Sequence, residues 1–543
     1  MAFFIKKQYN DTMLVGQESF FILPTEYSMN TLYRILRIIR FSKENPAIER
    51  SSMKLRRFVP FLMAACLFSG CGKDSPAVTP TPEPTAVPTP AFSWSVQLDE
   101  SQRYQTIDGF GAGFTWYAEE ASTHLKKEEI YDLLFKDAGL TILRFKNEYG
   151  YKNFEKSAAT NLAYYEAAQK RAAERGENVQ VLYTSWSPTA DLKTNNSING
   201  GGTIRKDEEG NYDYEGFARW WTDGIKAYRE HGIPVDLVSV QNECDFTASY
   251  DGCEFGMRET ADKASYSKAF LASYHMFREE FGDNTPLMVA PETMTCNPTT
   301  VKSYLDEVLR TEPESVYAVG HHLYLGGDSS DKPDFCKYDS FRTNLKGMAQ
   351  FTAERGYHAW QTEFYRGTAL QTANMINNSL TYENLNAYIY WGGVWQNTPV
   401  DTLETNNLIS CSRAITSWPN KQGYLVTGAY YAMRHFSEYI RPGYVRIEAA
   451  LSHAAEEAGA DVRISAYISP DGKRLVAVII NNSSAGQSVL FNPAGFSGNS
   501  LIRQTDFSDG YTEDMLYRDL GSLPSHRVLS LPASSVTTVV LDR

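Results

Sequence analysis

Between residues 105 and 395 the chain alternates eight short apolar runs with longer segments of helical period. The runs fall at 107–114, 141–145, 179–186, 237–241, 287–291, 316–324, 359–363 and 387–391. Few of them alternate apolar with polar residues, so they read as strands buried on both faces, which is the pattern of a parallel sheet covered by helices. Helical patterns stand between them, among them 119–136, 162–175, 214–230 and 263–281. Eight such units predict an α/β fold, a (β/α)8 TIM barrel.

Beyond about residue 441 the texture changes. Strand-like stretches at 462–468, 475–480 and 535–541 are separated by Ser-Pro-Asp-Gly (469–472) and Asn-Asn-Ser-Ser (481–484), strong turn formers. This tail predicts an appended side β-sandwich over 441–543, with the barrel over 93–440. Residues 93–105 precede the barrel and are a further candidate strand of that sandwich.

The N-terminal part reads as non-globular. Met53-Lys-Leu-Arg-Arg57 is a basic segment, residues 58–68 are apolar, and Ser69-Gly70-Cys71 follows. That order predicts a lipoprotein-type signal peptide over 53–71 with lipidation at Cys71, although Phe68 stands where such signals usually carry Leu. The apolar stretch is short for a membrane span. Residues 72–92 form a Pro/Thr-rich tract that cannot pack a core and serves as an extended spacer. Residues 1–52 are left unassigned, with Met1 and Met53 both candidate starts. An anchor followed by a stalk implies a catalytic module held outside the cell, on a bacterial surface.

Net charge is −13, which argues against nucleic acid as a partner. With Cys66 and Cys71 set aside, Cys244, Cys253, Cys296, Cys336 and Cys411 remain, and an odd number precludes complete pairing. Cys244 and Cys253 could bridge a loop, but isolated buried thiols are the simpler reading. No Cys/His spacing suggests zinc, and His321-His322 sit on opposite faces of a strand. No metal or cofactor is expected.

Two acids close apolar runs. Glu243 ends Leu237-Val-Ser-Val-Gln-Asn-Glu243 after the fourth strand, and Glu363 ends Ala359-Trp-Gln-Thr-Glu363 after the seventh. The C-terminal ends of barrel strands are where such folds keep their chemistry. Two carboxylates facing one cleft can divide proton donation from nucleophilic attack. One such site could simply cap a helix; two on a full eight-strand count point to function.

Five segments together resemble glycoside hydrolase family 30, of the clan A retaining β-glycanases. They are Gln105-Thr-Ile-Asp-Gly-Phe-Gly-Ala-Gly113, Thr184-Ser-Trp-Ser-Pro188, Gln241-Asn-Glu243, Gln361-Thr-Glu363 and Ile440-Arg-Pro-Gly-Tyr-Val-Arg-Ile447. The resemblance spans roughly residues 95–543 and implies a barrel joined to a side β-sandwich. It makes Glu243 the acid/base and Glu363 the nucleophile, about 5–5.5 Å apart for a retaining enzyme. Asn242 would bind the hydroxyl beside the anomeric carbon. Arg144 would keep Glu363 ionised, and Tyr324 would hydrogen-bond it. Trp116, Trp186 and Trp391 would stack sugar rings or wall the barrel mouth, with His322 bordering the same subsite.

The His-Leu-Tyr-Leu-Gly-Gly run at 322–327 and the 440–447 segment most resemble the xylanase branch. The arginine-rich loop by which that branch's glucuronoxylanases bind glucuronate is missing from 392–407, and the nearest arginine is Arg413. The expectation is a monomeric endo-β-1,4-xylanase without strict glucuronate dependence. Other activities of the family stay open: a xylobiose-releasing exo-xylanase, a β-1,6-glucanase, and a β-glucosidase or xylosidase. A catalytically silent carbohydrate-binding lipoprotein is the alternative outside enzymology.

Overall fold

The computed structural model describes residues 90–327, 341–395, 402–405, 407–418, 420–453 and 461–543, together with the backbone of an N-terminal strand pair. The expected signal peptide, Cys71, most of the spacer and Cys336 lie outside these residues. The chain divides into two compact units, 1–83 and 84–543. In the first, Thr12–Gly16 pairs antiparallel with Ser19–Leu23, inside the region that the sequence left unassigned. Both strands are rich in β-branched, aromatic and aliphatic residues, which suit extended backbone.

In the second unit eight parallel strands close into a barrel. They are β1 (Gly109–Gly113), β2 (Ile142–Lys146), β3 (Gln180–Thr184), β4 (Leu237–Ser239), β5 (Leu287–Thr295), β6 (Ala318–Leu325), β7 (His358–Glu363) and β8 (Ala387–Gly392). β8 pairs with β1, which completes the ring. Inside it, Ile142, Leu182, Leu237, Val289, Ala318, Trp360, Ala387 and Ile389 form one buried apolar layer contributed by seven strands. Side chains alternate faces along a strand, so a residue two positions further on points inward again, one layer higher. Arg144 follows Ile142 in this way and Ser239 follows Leu237. The barrel floor is therefore greasy and the layer above it polar.

The helices differ from expectation in two places. The pattern over 119–136 is broken into Ala118–Ser122, Lys127–Tyr131 and a wider turn over Asp132–Asp137. At the break His124 Nδ1 accepts a hydrogen bond from the Lys126 backbone N–H at 3.0 Å. Side-chain capture of a backbone donor competes with helix propagation. The second helix also starts earlier than expected, at Phe154.

After β8, the strands Val394–Trp395, Ile409–Cys411 and Tyr424–Val426 form a small sheet of their own. The chain then builds a nine-stranded sheet in which Trp94–Thr106 lies between Val445–His453 and Gln487–Leu490. Val489 and Leu531 near one end of that sheet share a core with Ile502 and Leu541 near the other. The sheet thus folds over itself as a side domain. It meets the barrel unit through His435, whose two ring nitrogens lie 2.8 Å from the hydroxyls of Thr505 and Thr538.

Candidate active site

The C-terminal ends of the barrel strands open into a cleft of about 720 Å³ whose lining includes Glu243 and Glu363. Arg144 sits beneath it, fully buried in the middle of β2. Its Nη1 donates to Glu363 Oε2 at 2.8 Å, and its Nη2 donates to Asn242 Oδ1 at 2.7 Å. Tyr324, within β6, donates its hydroxyl to Glu363 Oε1 at 3.0 Å. Both oxygens of Glu363 thus accept charge-assisted hydrogen bonds.

Glu243 lives in a different environment. His322 Nδ1 lies 3.0 Å from Glu243 Oε1. Burial pushes the Glu243 carboxyl up to about 7, against the pull of Arg144 and with the push of Glu292. Burial also raises Glu363, with Arg144 among the charges that oppose it. The Arg144 and Tyr324 hydrogen bonds, one of them from a permanent cation, hold the charged form of Glu363, whereas among the described residues Glu243 has the uncharged His322 ring at 3.0 Å and the Tyr250 hydroxyl nearby. When the pair carries one proton, Glu243 holds it. The two environments separate an acid from a carboxylate, as paired acids of divided role require.

Glu243 also departs from ordinary backbone, with a φ of 46°. Left-handed backbone at a bulky residue costs about 1–3 kcal/mol, and here hydrogen bonds on either side retain it. Asn242 N donates to Ser185 O at 2.7 Å, and Glu243 N donates to Glu292 O at 2.9 Å.

The predicted aromatic residues gather but divide in role. Trp116 is 42% exposed, whereas Trp186 is only 2% exposed. The Arg144 guanidinium lies 4.7 Å from the centre of the Trp186 ring. Trp186 therefore walls the cleft and backs the arginine, and Trp116 keeps a free face. Trp391 lies 5.4 Å from Trp116 and 5.7 Å from Trp186, ring centre to ring centre. Its carbonyl packs so close to β1 that a Cβ on Gly113 would stand 2.4 Å from it. That glycine is what lets β8 deliver Trp391 to the cleft floor. Asn242 has committed its oxygen to Arg144, which leaves its amide nitrogen to donate.

His322 is fully buried behind Glu243 and reaches a substrate only through that carboxylate, not as a subsite border. His321 points elsewhere, 2.7 Å from Glu383. Arg413 is bound to Glu120, Nη2 to Oε1 at 2.9 Å, and does not replace the missing arginine loop. Cys244, Cys253 and Cys411 are free buried thiols, and Cys296 is buried as well.

Sequence reasoning missed Glu292, Tyr250 and Trp395. Tyr250 and Trp395 line the cleft, the first from a loop and the second from a two-residue strand too short to leave a periodic signal. Glu292 carried a signal: it follows the apolar run of β5 as Glu243 and Glu363 follow theirs, but Pro291 seemed to end the pattern. Glu243, His322 and Glu363 each bring one ligand-type atom within 4.8 Å of the others. A cation held there would compete with the Glu243 proton, and Arg144 already supplies positive charge to Glu363.

The family model described as the glycosyl hydrolase family 30 TIM-barrel domain matches residues 141–440. Glucuronoxylanase XynC of Bacillus subtilis is 25% identical over 463 residues, covering 82% of this chain and 92% of that protein. Endo-1,6-beta-D-glucanase neg1 of Aspergillus fumigatus is 24% identical over 427 residues, covering 71% and 81%. Among solved structures, the family 30 subfamily 8 xylanase Xyn30A from Clostridium acetobutylicum superposes with a TM-score of 0.59 at 24% identity, over 83% of this chain and all of that one. This last is a likeness of fold. With the matched model covering more than half of its length, the chain belongs to glycoside hydrolase family 30.

Proposed function

We propose that this glycoside hydrolase cleaves β-linked plant cell-wall polysaccharide with retention of configuration, as an endo-β-1,4-xylanase that does not require glucuronate side groups. The observation that carries the retaining reading is the closeness of the two acids, with an oxygen of Glu243 within 4.8 Å of one of Glu363. Inverting pairs stand about 6.5–9.5 Å apart to admit a water.

In the first step a Glu363 oxygen bonds to the anomeric carbon as the glycosidic bond breaks, and the leaving oxygen takes the Glu243 proton. In the second, water adds to that carbon, the ester bond to Glu363 breaks, and Glu243 takes a proton from the water. Trp391 and Trp116 offer ring faces to the sugar, and Asn242 Nδ2 a donor.

The xylan assignment draws on the glucuronoxylanase relative. Independence from glucuronate draws on the sequence after β8, which lacks an arginine among residues 392–407. A β-1,6-glucanase is the second reading, because a relative of that activity is nearly as similar. The lipid anchor at Cys71 and a place on the cell surface are part of the same proposal.

Product analysis on glucuronoxylan, arabinoxylan and β-1,6-glucan, with Glu363→Gln as control, tests it. Mixed xylo-oligosaccharides from both xylans are expected. Xylobiose alone would make the enzyme exo-acting. Turnover of β-1,6-glucan only would replace the substrate and keep the retaining mechanism.

A further inference from the structure

Glu292 makes contacts toward both catalytic acids without touching the cleft. It is fully buried on β5. Its Oε1 lies 3.3 Å from Arg144 Nε, and its Oε2 lies 3.4 Å from Arg144 Nη2. The hydroxyls of Ser239 and Thr362 lie close to the same carboxylate and favour its charged form. Its backbone carbonyl accepts the Glu243 N–H at 2.9 Å, and its own φ is 55°. Opposite it, Gly320 supplies the room: a Cβ there would meet Val289 Cγ1 at 2.7 Å and Glu292 Cγ at 3.2 Å.

We infer that Glu292 is a positioning residue that sets the Arg144 guanidinium and the Glu243 backbone in one rigid unit, and that it serves as the standing counter-ion of Arg144 through the reaction. The inference rests on the retaining-hydrolase reading above.

A second buried carboxylate is not needed to neutralise Arg144, because Glu363 already does so at 2.8 Å. Burying an additional charge is unfavourable unless something uses it. The reaction supplies the use. Once Glu363 has become an ester it carries no charge, and Arg144 would then lose its carboxylate partner inside the protein. Glu292 stays ionised and keeps that partner in place. Arg144 also has two edges to fix. Its Nη atoms are held by Glu363 and Asn242, while the Nε edge faces Glu292 alone among the contacts described. Without that contact the planar fork can pivot about its outer end, and Glu363 moves with it.

The test compares wild type, Glu292→Gln and Glu292→Asp by pH–rate profiles on whichever of xylan and β-1,6-glucan the wild type cleaves, with thermal unfolding measured beside them. Glu243 is faced by Arg144, Glu292, Glu363, Tyr250, Tyr324, Arg366, Asp245 and His322. Of these, only Glu292 is altered in the variants. A misplaced reacting group costs about 100-fold, so Glu292→Gln should lower kcat/KM by about that factor. Its alkaline limb should also move to lower pH, because a negative charge that favours the Glu243 proton has gone. Glu292→Asp keeps the charge and loses reach: its limb should stay at the wild-type pH while kcat falls and KM holds.

Wild-type rate and limb in Glu292→Gln would overturn the inference. So would a rate loss that follows only the loss of folded protein. Should Glu292→Gln not fold, a wild-type kcat in Glu292→Asp would be equally fatal. A wild type inert on both glycans would remove the hydrolase reading, and this inference with it.

Discussion

His322 Nδ1 lies 3.0 Å from Glu243 Oε1, with both side chains almost wholly shut off from solvent. Burial lowers the His322 pKa to about 4, so near neutral pH the ring is uncharged and cannot stabilise a carboxylate as a cation would. The Glu243 proton is therefore kept up to about pH 7.

This fixes the shape of the pH profile. A general acid must be protonated to act, so kcat/KM should fall as pH rises through about 7. Initial rates on xylan across the pH range would locate the limb. In Glu243→Gln the limb should vanish, because the titrating group is gone.

The same burial has a stability cost with a definite sign. Glu243 binds its proton more tightly folded than unfolded, being raised from 4.5 to about 7. Between those values the native state holds more protons than the unfolded one, so stability falls as pH rises. Glu243→Gln does not titrate there. It should match wild type near pH 4 and exceed it at pH 8 by about 3 kcal/mol. Denaturant melts at the two pH values check this.

Leaving-group chemistry separates the two acids. Glu363→Gln removes the nucleophile and should cost at least about 10⁴-fold on every substrate. Glu243→Gln should cost about 10²–10⁴-fold on xylan and far less in the first step on an aryl glycoside whose phenolate leaves unprotonated. Burst kinetics with the aryl substrate would reveal the accumulating ester.

Gly113→Ala tests how Trp391 is delivered. A methyl group placed 2.4 Å from the Trp391 carbonyl must push β1 from β8. Overpacking of this kind costs about 1–3 kcal/mol. A loss of stability should accompany a raised KM, because the cleft floor shifts with the strand. Unfolding and steady-state kinetics of the one variant give both numbers.

The barrel was legible because eight buried parallel strands leave an apolar signature that helices cannot mimic at that length. Glu243 and Glu363 were legible because a carboxylate at the end of such a run has nowhere to go but the barrel mouth. Glu292 also follows such a run, yet it is fully buried beneath the mouth; Pro291 hides it in the sequence, and its partner Arg144 lies about 150 positions away. The burial of Trp186 was not legible either, since it depends on the Arg144 guanidinium 4.7 Å from its ring. The break in the first helix turned on a local histidine contact that periodicity does not register. Tertiary pairing decides the cases of Glu292 and Trp186, and no local window contains it.

The side sheet takes its strand Trp94–Thr106 from before the barrel and the neighbouring Val445–His453 from after it, with Thr106 opposite Val445. During synthesis the earlier strand leaves the ribosome more than three hundred residues ahead of that partner. An unpaired strand edge is open to mispairing until its neighbour arrives. The strand that leads into the barrel is thus clasped by one made only after the barrel is complete. A nascent chain halted before residue 445 would hold Glu363, Glu243 and Arg144, yet would lack the clasp.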